Sequence, residues 1–309
     1  MKKEKEQGEM NNAEAAPFLH TVKKEEEGKM LRQVLQQRFR FSRRLLRRLR
    51  ESQGVTVNGR VVYFTSRVTE GDAIQVIMPQ DPEPAIPPQE LSLRIVFEDD
   101  DLIVLDKEPG QVVHPTKDYR DYTLANGLVY HWRQRGEQRQ ARPVTRLDKD
   151  TSGLIVFAKH AYAHAFLAKE MGKRRYRRQY LAMVRGEWLQ EEGVIDAPID
   201  RSPEEPHKRM VREDGVEAIT HFQVERRLKG ATLLRLELET GRTHQIRVHL
   251  SHRGFPIIGD TLYGGQDATI ARQALHAARL CLFHPRDRRE HEWKSLMPED
   301  MERLVQSFL

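Results

Sequence analysis

Apolar residues recur along the chain with two periods. Early on the spacing is helical. Met30, Leu31, Val34 and Leu35 share one face; then Leu45, Leu46 and Leu49 line a second helix that opens after Phe41 and Ser42, with Ser42 as its N-cap. The other face of that second helix carries Arg43, Arg44, Arg47, Arg48 and Arg50. The period then changes to alternation. Val55 and Val57 lead into Asn58-Gly59 and on to Val61, a strong short hairpin signal, and residues 71–76 add a strand. Beyond residue 91 short apolar runs predict strands at 93–98 and 102–107, joined by the acidic turn Asp99-Asp100-Asp101. Further strands are predicted at 154–158, around Tyr180, at 194–199, 220–226 and 233–238, and near Glu292-Trp293. Amphipathic spacing predicts helices at 123–132, 161–171, 243–252 (with Gly254 as its stop) and 298–309. Many strands with few helices predict an α+β fold on a mixed, largely antiparallel sheet.

The same patterns divide the chain. Residues 1–27 are rich in Lys, Glu and Asn and read as a disordered tail. Residues 28–79 form a small α+β unit. Residues 80–90 hold Pro82, Pro84, Pro87 and Pro88, which predicts a stiff, extended linker and two separable domains. Residues 91–309 make the large domain.

Charge changes the picture by its placement. Lys and Arg exceed Asp and Glu by 52 to 46, a net charge of +6 over 309 residues, and the excess is concentrated at 32–50 and in Lys173, Arg174, Arg175, Arg177 and Arg178. Two basic clusters point to a polyanionic partner. The single cysteine, Cys281, excludes a disulfide or a cysteine metal site within one chain and reads as a small buried hydrophobe. The charged N-terminus and the lack of an apolar run near the ~20 residues a span needs predict a cytoplasmic protein. Neither a phosphate-binding Gly-rich loop nor a dinucleotide fingerprint is present.

The stretch with the densest chemistry is Arg142-Pro143-Val144-Thr145-Arg146-Leu147-Asp148-Lys149-Asp150-Thr151-Ser152-Gly153. It places Asp148 on a polar loop just before a buried strand, between Arg146 and Lys149. A carboxylate so held suits nucleophilic or acid/base work, and flanking cations favour its ionised form. Two other stretches face it: the strand bearing Tyr180, and Gly241-Arg242-Thr243-His244-Gln245-Ile246-Arg247-Val248-His249-Leu250. His244 and His249 are five apart with no Glu between them, the wrong spacing for a helical metal pair, so no metal site is predicted. His114, before Pro115, reads as a structural hydrogen-bond partner.

These three stretches resemble the RluA-type family of RNA pseudouridine synthases, with its Arg-Leu-Asp-x-x-Thr-Ser-Gly loop, its strand Tyr and its Gly-Arg-Thr-His-Gln-Ile-Arg-Val-His segment. The resemblance covers about residues 91–309. Val113-His114-Pro115 is similar to the family's Val-His-Pro, and Gly259-Asp260 with Tyr263-Gly264-Gly265, Leu275-His276-Ala277 and Phe283-His284-Pro285 also match and read as mainly structural closure of the cleft. Two helices followed by Val-Asn-Gly and Gly-Asp-x-Ile strands resemble an S4 RNA-binding domain, whose usual Arg-Leu-Asp opening is here Met30-Leu31-Arg32.

The resemblance implies an isomerase that turns uridine into pseudouridine without a cofactor. Asp148 would be the nucleophile, Arg247 its buried cation, Tyr180 the aromatic on the base and Ile246 a packing residue against it. Arg146 would fill the space of the flipped base or grip its phosphate, and Arg242 would order its loop or meet phosphate. The residues leave open whether Asp148 attacks ribose or base. The implied partner is structured RNA, ribosomal before transfer RNA, met by a monomer. Two other classes fit parts of the pattern: a non-catalytic RNA binder using the basic helix, and a glycoside hydrolase, which would want a second acting carboxylate such as Asp150.

Overall fold

The computed structural model describes residues 18–309. The expected disorder of residues 1–17 lies outside the described residues, but residues 18–27 are ordered. β1 (Phe18–Thr21) is the edge of a four-stranded sheet, and a 3-10 turn follows at Lys24–Glu26. The tail expectation thus fails from Phe18 on. Phe18 and His20 point inward and are buried, while Leu19 and Thr21 point out. Four residues with only two apolar inward positions gave too little pattern to detect.

Helices α1 (Leu31–Arg38) and α2 (Arg43–Glu51) pack on that sheet, completed by β2 (Val55–Val57), β3 (Arg60–Val61) and β4 (Ala73–Val76) in the order β1-β4-β2-β3. The side chain of Ser42 caps α2 by accepting from the Leu45 amide, as its position predicts. Leu31, Val34, Leu35, Leu46 and Leu49 turn inward onto Val55, Ile74 and Val76.

The large unit is one ten-stranded sheet with helices around it. In chain order its elements are β5 (Ile95–Glu98), β6 (Leu102–Lys107), α3 (Leu124–Gln134), β7 (Arg142–Pro143), β8 (Ser152–Ala158), α4 (Ala161–Met171), β9 (Tyr176–Arg185) and β10 (Glu192–Asp196). A separate two-stranded ribbon, β11 (Ile199–Arg201) and β12 (Arg209–Val211), precedes β13 (Ile219–Leu228), β14 (Ala231–Leu238), α5 (Gln245–His252), β15 (Leu275–Phe283), β16 (Glu290–Lys294) and α6 (Glu299–Ser307). The sheet runs β10-β13-β14-β9-β15-β8-β6-β5, with β16 added to β15 and β7 to β8. Its one parallel junction is β15 with β8; every other pair is antiparallel. The α+β, largely antiparallel expectation is met.

That parallel junction positions the site. Gly153, at the start of β8, has φ +106, and a Cβ there would lie 2.3 Å from the Ala277 carbonyl oxygen on β15. Only glycine allows this close approach. The loop carrying Asp148 therefore enters the sheet at its middle.

The proline-bearing segment is laid along the large unit and does not act as a free spacer. The buried Asp81 carboxylate takes two 2.6 Å hydrogen bonds from Arg142, and Asn126 donates to the Pro87 carbonyl. An aromatic contact also joins the two units. Tyr162 of α4 belongs to the small unit's core, edge-on to Phe41 and Phe18, and its hydroxyl donates to the Phe39 carbonyl. The Arg286 guanidinium lies 4.2 Å from the Phe18 ring centre. Where the sequence predicts separable domains, the structure places Tyr162 and Arg286 of the large unit against the small unit's aromatic core.

Candidate active site

The Asp148 loop is fixed from beneath through its backbone. Lys107, buried at the end of β6, donates to the carbonyls of Glu108, Gln111 and Lys149 at 2.9, 2.9 and 2.6 Å. Burial pushes its ammonium down to about 7, against the pull of Asp150 and Asp148. Arg272 donates to the next carbonyl, that of Asp150, at 3.1 Å, and Gln273 reaches the Thr151 hydroxyl. Leu147 packs into the hydrophobic cores on either side. With its carbonyls held inward, the loop leaves the Asp148 side chain facing a cleft of about 1150 Å³.

Across the cleft, Asp148 Oδ2 accepts from Arg247 of α5 at 3.0 Å, and the carboxylate is 27% exposed. Arg247 is itself gripped from behind. Its Nε and second terminal nitrogen donate to the two oxygens of Asp260 at 2.7 and 2.9 Å, and Asp260 has no exposed side-chain surface. Its guanidinium lies 5.0 Å from the Tyr263 ring centre. Burial disfavours the Arg247 charge, but Asp260 and Asp148 hold its pKa well above the usual arginine value. The loop's neighbouring cations do not serve Asp148 in this way. Arg146 is exposed at the cleft, and Lys149 donates to the Tyr119 hydroxyl.

The N-terminus of α5 is clamped by Gln245, whose side chain accepts from the Arg242 amide and the Thr240 hydroxyl and donates to the Ile219 carbonyl. Arg242 is exposed, and its Nε donates to the Glu217 carbonyl at 2.9 Å. His249 gives both ring nitrogens to Thr220 and the Ala197 carbonyl and is fully buried. His114 lies at the cleft with one ring nitrogen near the Pro115 carbonyl.

Tyr180 and Ile246, each 4% exposed, also line the cleft. Burial pushes the Tyr180 hydroxyl's pKa up, opposed by Arg178 and helped by Asp148. The basic run before Tyr180 is split by strand alternation. Arg178 lines the cleft, its guanidinium 5.7 Å from the Tyr176 ring centre, whereas Arg177 turns to the other side and pairs with Glu290 at 2.6 Å. Lys173 and Arg175 pair with Glu170, and Arg174 with Glu239. On α2, Arg43, Arg44 and Arg47 are exposed, and Arg48 donates to the Gln80 carbonyl.

The sequence brought Asp148, Tyr180, Ile246, Arg247, Arg146, Arg242 and Arg178 to one cleft. It undervalued Asp260 and Tyr263, read as closure although they grip Arg247, and passed over Lys107. The available signal was a lone acid just past a helix that already carried the site's arginine.

A loop carboxylate paired to a buried arginine, with Tyr180 and Ile246 in the lining and Arg146, Arg178 and Arg242 around it, makes this cleft the candidate active site. The comparisons give the family. Residues 101–252 match the model described as RNA pseudouridylate synthase, and residues 18–74 the RluD ribosomal pseudouridine synthase N-terminal domain. The uncharacterized RNA pseudouridine synthase YjbO of Bacillus subtilis (strain 168) is 38% identical over 267 residues, 86% of this chain and 94% of its own. The ribosomal large subunit pseudouridine synthase D of Xanthomonas campestris pv. campestris is 38% identical over 279 residues, 86% of this chain and 84% of its own. The solved structure of human RNA pseudouridylate synthase domain containing 1 has a TM-score of 0.56 at 26% identity, covering 72% of this chain and 96% of its own. The chain belongs to the RluA/RluD-type family of RNA pseudouridine synthases.

Proposed function

We propose that this enzyme isomerises specific uridines of structured RNA, first among them large-subunit ribosomal RNA, with Asp148 as nucleophile and no cofactor. The observation that carries the reading is the Asp148–Arg247 pair facing a cleft floored by Tyr180 and Ile246. The reaction breaks the bond from C1′ to N1, rotates the freed uracil and joins C1′ to C5; the C5 proton leaves and N1 gains one, so nothing is added or consumed. Asp148 forms the transient bond that holds the intermediate. Arg247, itself fixed by Asp260, keeps that carboxylate aimed. Tyr180 lies against the uracil, and Ile246 packs beside it.

The target uridine must leave its stack, at a cost of a few kcal/mol offset by backbone contacts. Arg146, exposed at the cleft, suits the vacated space or the flipped nucleotide's phosphate. The S4-like helix face with Arg43, Arg44, Arg47 and Arg48, together with Lys173, Arg174, Arg175, Arg177 and Arg178, would supply phosphate contacts that position the RNA without reading its sequence. Naming of relatives as ribosomal large subunit synthases supports ribosomal over transfer RNA. Among the described residues no helix is long and apolar enough to cross a membrane. Bacterial relatives named for the ribosomal large subunit support a cytoplasmic enzyme, and a monomer is the state proposed.

The test uses purified enzyme and large-subunit ribosomal RNA transcribed without modifications, with pseudouridine mapped by carbodiimide labelling and primer extension. New stops at one or a few uridines are expected. Stops confined to transfer RNA transcripts would overturn the ribosomal assignment, and none in any RNA would overturn the enzyme reading.

A further inference from the structure

His244 stands beside the nucleophile with no part in the reaction as set out above. It precedes α5 with a left-handed backbone, φ 58 and ψ 18, uncommon for a residue with a side chain. Such conformations persist where surrounding structure enforces them, often at functional sites. The ring is held on one side. Its Nδ1 lies 2.8 Å from the Tyr263 hydroxyl, and the two rings meet edge to face with centres 5.6 Å apart. The same hydroxyl oxygen accepts from the Arg209 amide at 2.9 Å. With the Arg209 amide donating to it, the Tyr263 hydroxyl completes its bonding by giving its own proton to His244 Nδ1, and on that basis we assign the tautomer with the ring's hydrogen on Nε2. Burial lowers the His244 pKa against the pull of Asp148, favouring this neutral form. His244 Nε2 faces Asp148 Oδ2 at 3.9 Å, beyond hydrogen-bond length, and both residues line the cleft.

A gap of that length between an N–H donor and a carboxylate acceptor fits one bridging atom that accepts from the first and donates to the second. A hydroxyl oxygen does both. The uracil carbonyls only accept and its N3–H only donates. Within an RNA strand the 3′ and 5′ oxygens are phosphodiesters, so the free hydroxyl on a target nucleotide is its 2′-OH. That hydroxyl sits on the carbon next to C1′, the centre whose bond is exchanged, so holding it brings the carboxylate to the sugar side of the nucleoside. The remaining oxygen, Oδ1, stays available for bond formation.

We propose that His244 Nε2 and Asp148 Oδ2 together bind the ribose 2′-hydroxyl of the target nucleotide, so that the site recognises RNA at the reacting sugar itself. This rests on the pseudouridine synthase reading with Asp148 as nucleophile. In that arrangement Tyr263 is a positioning residue that fixes the His244 tautomer while it supports Arg247.

The test is a substrate–enzyme double-mutant cycle. An RNA oligonucleotide spanning a uridine that the wild type modifies is made with ribose or 2′-deoxyribose at that one position. Single-turnover pseudouridine formation is followed by mass spectrometry for wild type, His244→Ala and His244→Gln, with melting temperatures recorded for each. A lost hydrogen bond of ordinary strength is worth about tenfold. Wild type is expected to lose about tenfold or more in rate on the 2′-deoxy substrate. His244→Ala is expected to lose about as much on the ribose substrate and little further on the 2′-deoxy one. His244→Gln, whose amide N–H can reach the same place, is expected to recover part of the rate and to remain sensitive to 2′-deoxy. Losses that simply multiply in His244→Ala would overturn the proposal. So would a wild type indifferent to 2′-deoxy, a result that needs no variant to fold. A wild type that makes no pseudouridine on the ribose substrate would instead count against the function reading.

Discussion

Replacing Arg247 separates the two carboxylates it serves. Asp260 has no exposed side-chain surface, and without Arg247 it retains only long contacts from the Leu262 and Tyr263 amides, at 3.2 and 3.3 Å. Breaking a buried pair from one side costs about 3–5 kcal/mol, because the other charge is left unmatched. Asp148 is 27% exposed and keeps water, so its share of the loss is at most about 1 kcal/mol. Arg247→Met is therefore expected to destabilise the protein by about 3–4 kcal/mol, nearly all of it through Asp260. Asp148→Asn should stay within about 1 kcal/mol of wild type. The double variant Arg247→Met/Asp260→Asn should recover roughly 2 kcal/mol of the single variant's loss, since a neutral amide still accepts from the two amides. Activity should stay absent, because Asp148 then has no partner. Urea unfolding followed by tryptophan fluorescence suits the measurement, as Trp132, Trp188 and Trp293 all lie in the large unit. An Arg247→Met variant as stable as Asp148→Asn, or a double variant less stable than the single, would refute this division.

Four further outcomes follow from the same geometry. Lys107 has a folded pKa of about 7 against an ordinary 10.5, so between those values the unfolded chain binds the extra proton and this group makes stability rise with pH. Stability measured from pH 7 to 10 should lose that rise in Lys107→Met. Gly153→Ala should cost at least ~2 kcal/mol and lower pseudouridine formation, since its Cβ meets the Ala277 carbonyl at 2.3 Å; thermal unfolding and single-turnover rates check both. Replacing Arg43, Arg44 and Arg47 with Gln should weaken RNA binding and flatten its salt dependence by about one unit of slope per lost phosphate contact, with little change in the rate at saturating enzyme. Tyr180→Phe keeps the ring in the cleft lining and should bind RNA normally by filter retention; slowed product formation would assign a role to the hydroxyl, and a normal rate would leave it to the ring alone.

The sequence disclosed those parts of the fold with a strong local rhythm. The α2 arginines opposite Leu46 and Leu49, the Asn58-Gly59 turn and the uninterrupted apolar run of β8 each answer to their neighbours in the chain. β1 is too short to show a period, and its strand character depends on pairing with β4, more than fifty residues away. The docking of the two units through Tyr162 was invisible for a similar reason: nothing local tells a helix tyrosine that its partners are Phe41 and Phe18. Within the site, Asp148 and Arg247 were legible because contiguous motifs carry them. Asp260 and Tyr263 were read as scaffold because their effect passes through Arg247 and appears only when distances are known. The basic run at 173–178 reads as one patch along the chain, but strand alternation sends Arg177 and Arg178 to opposite faces.

The most direct check of the central claim is product formation by Asp148→Asn under single-turnover conditions. Wild-type and variant protein are given the same ribosomal RNA transcript, with pseudouridine counted by mass spectrometry and RNA affinity measured at one fixed salt concentration. The account predicts a folded variant that binds the transcript within a few-fold of wild type and yields no pseudouridine. Pseudouridine formed by that variant at a rate comparable with wild type would remove Asp148 from the chemistry.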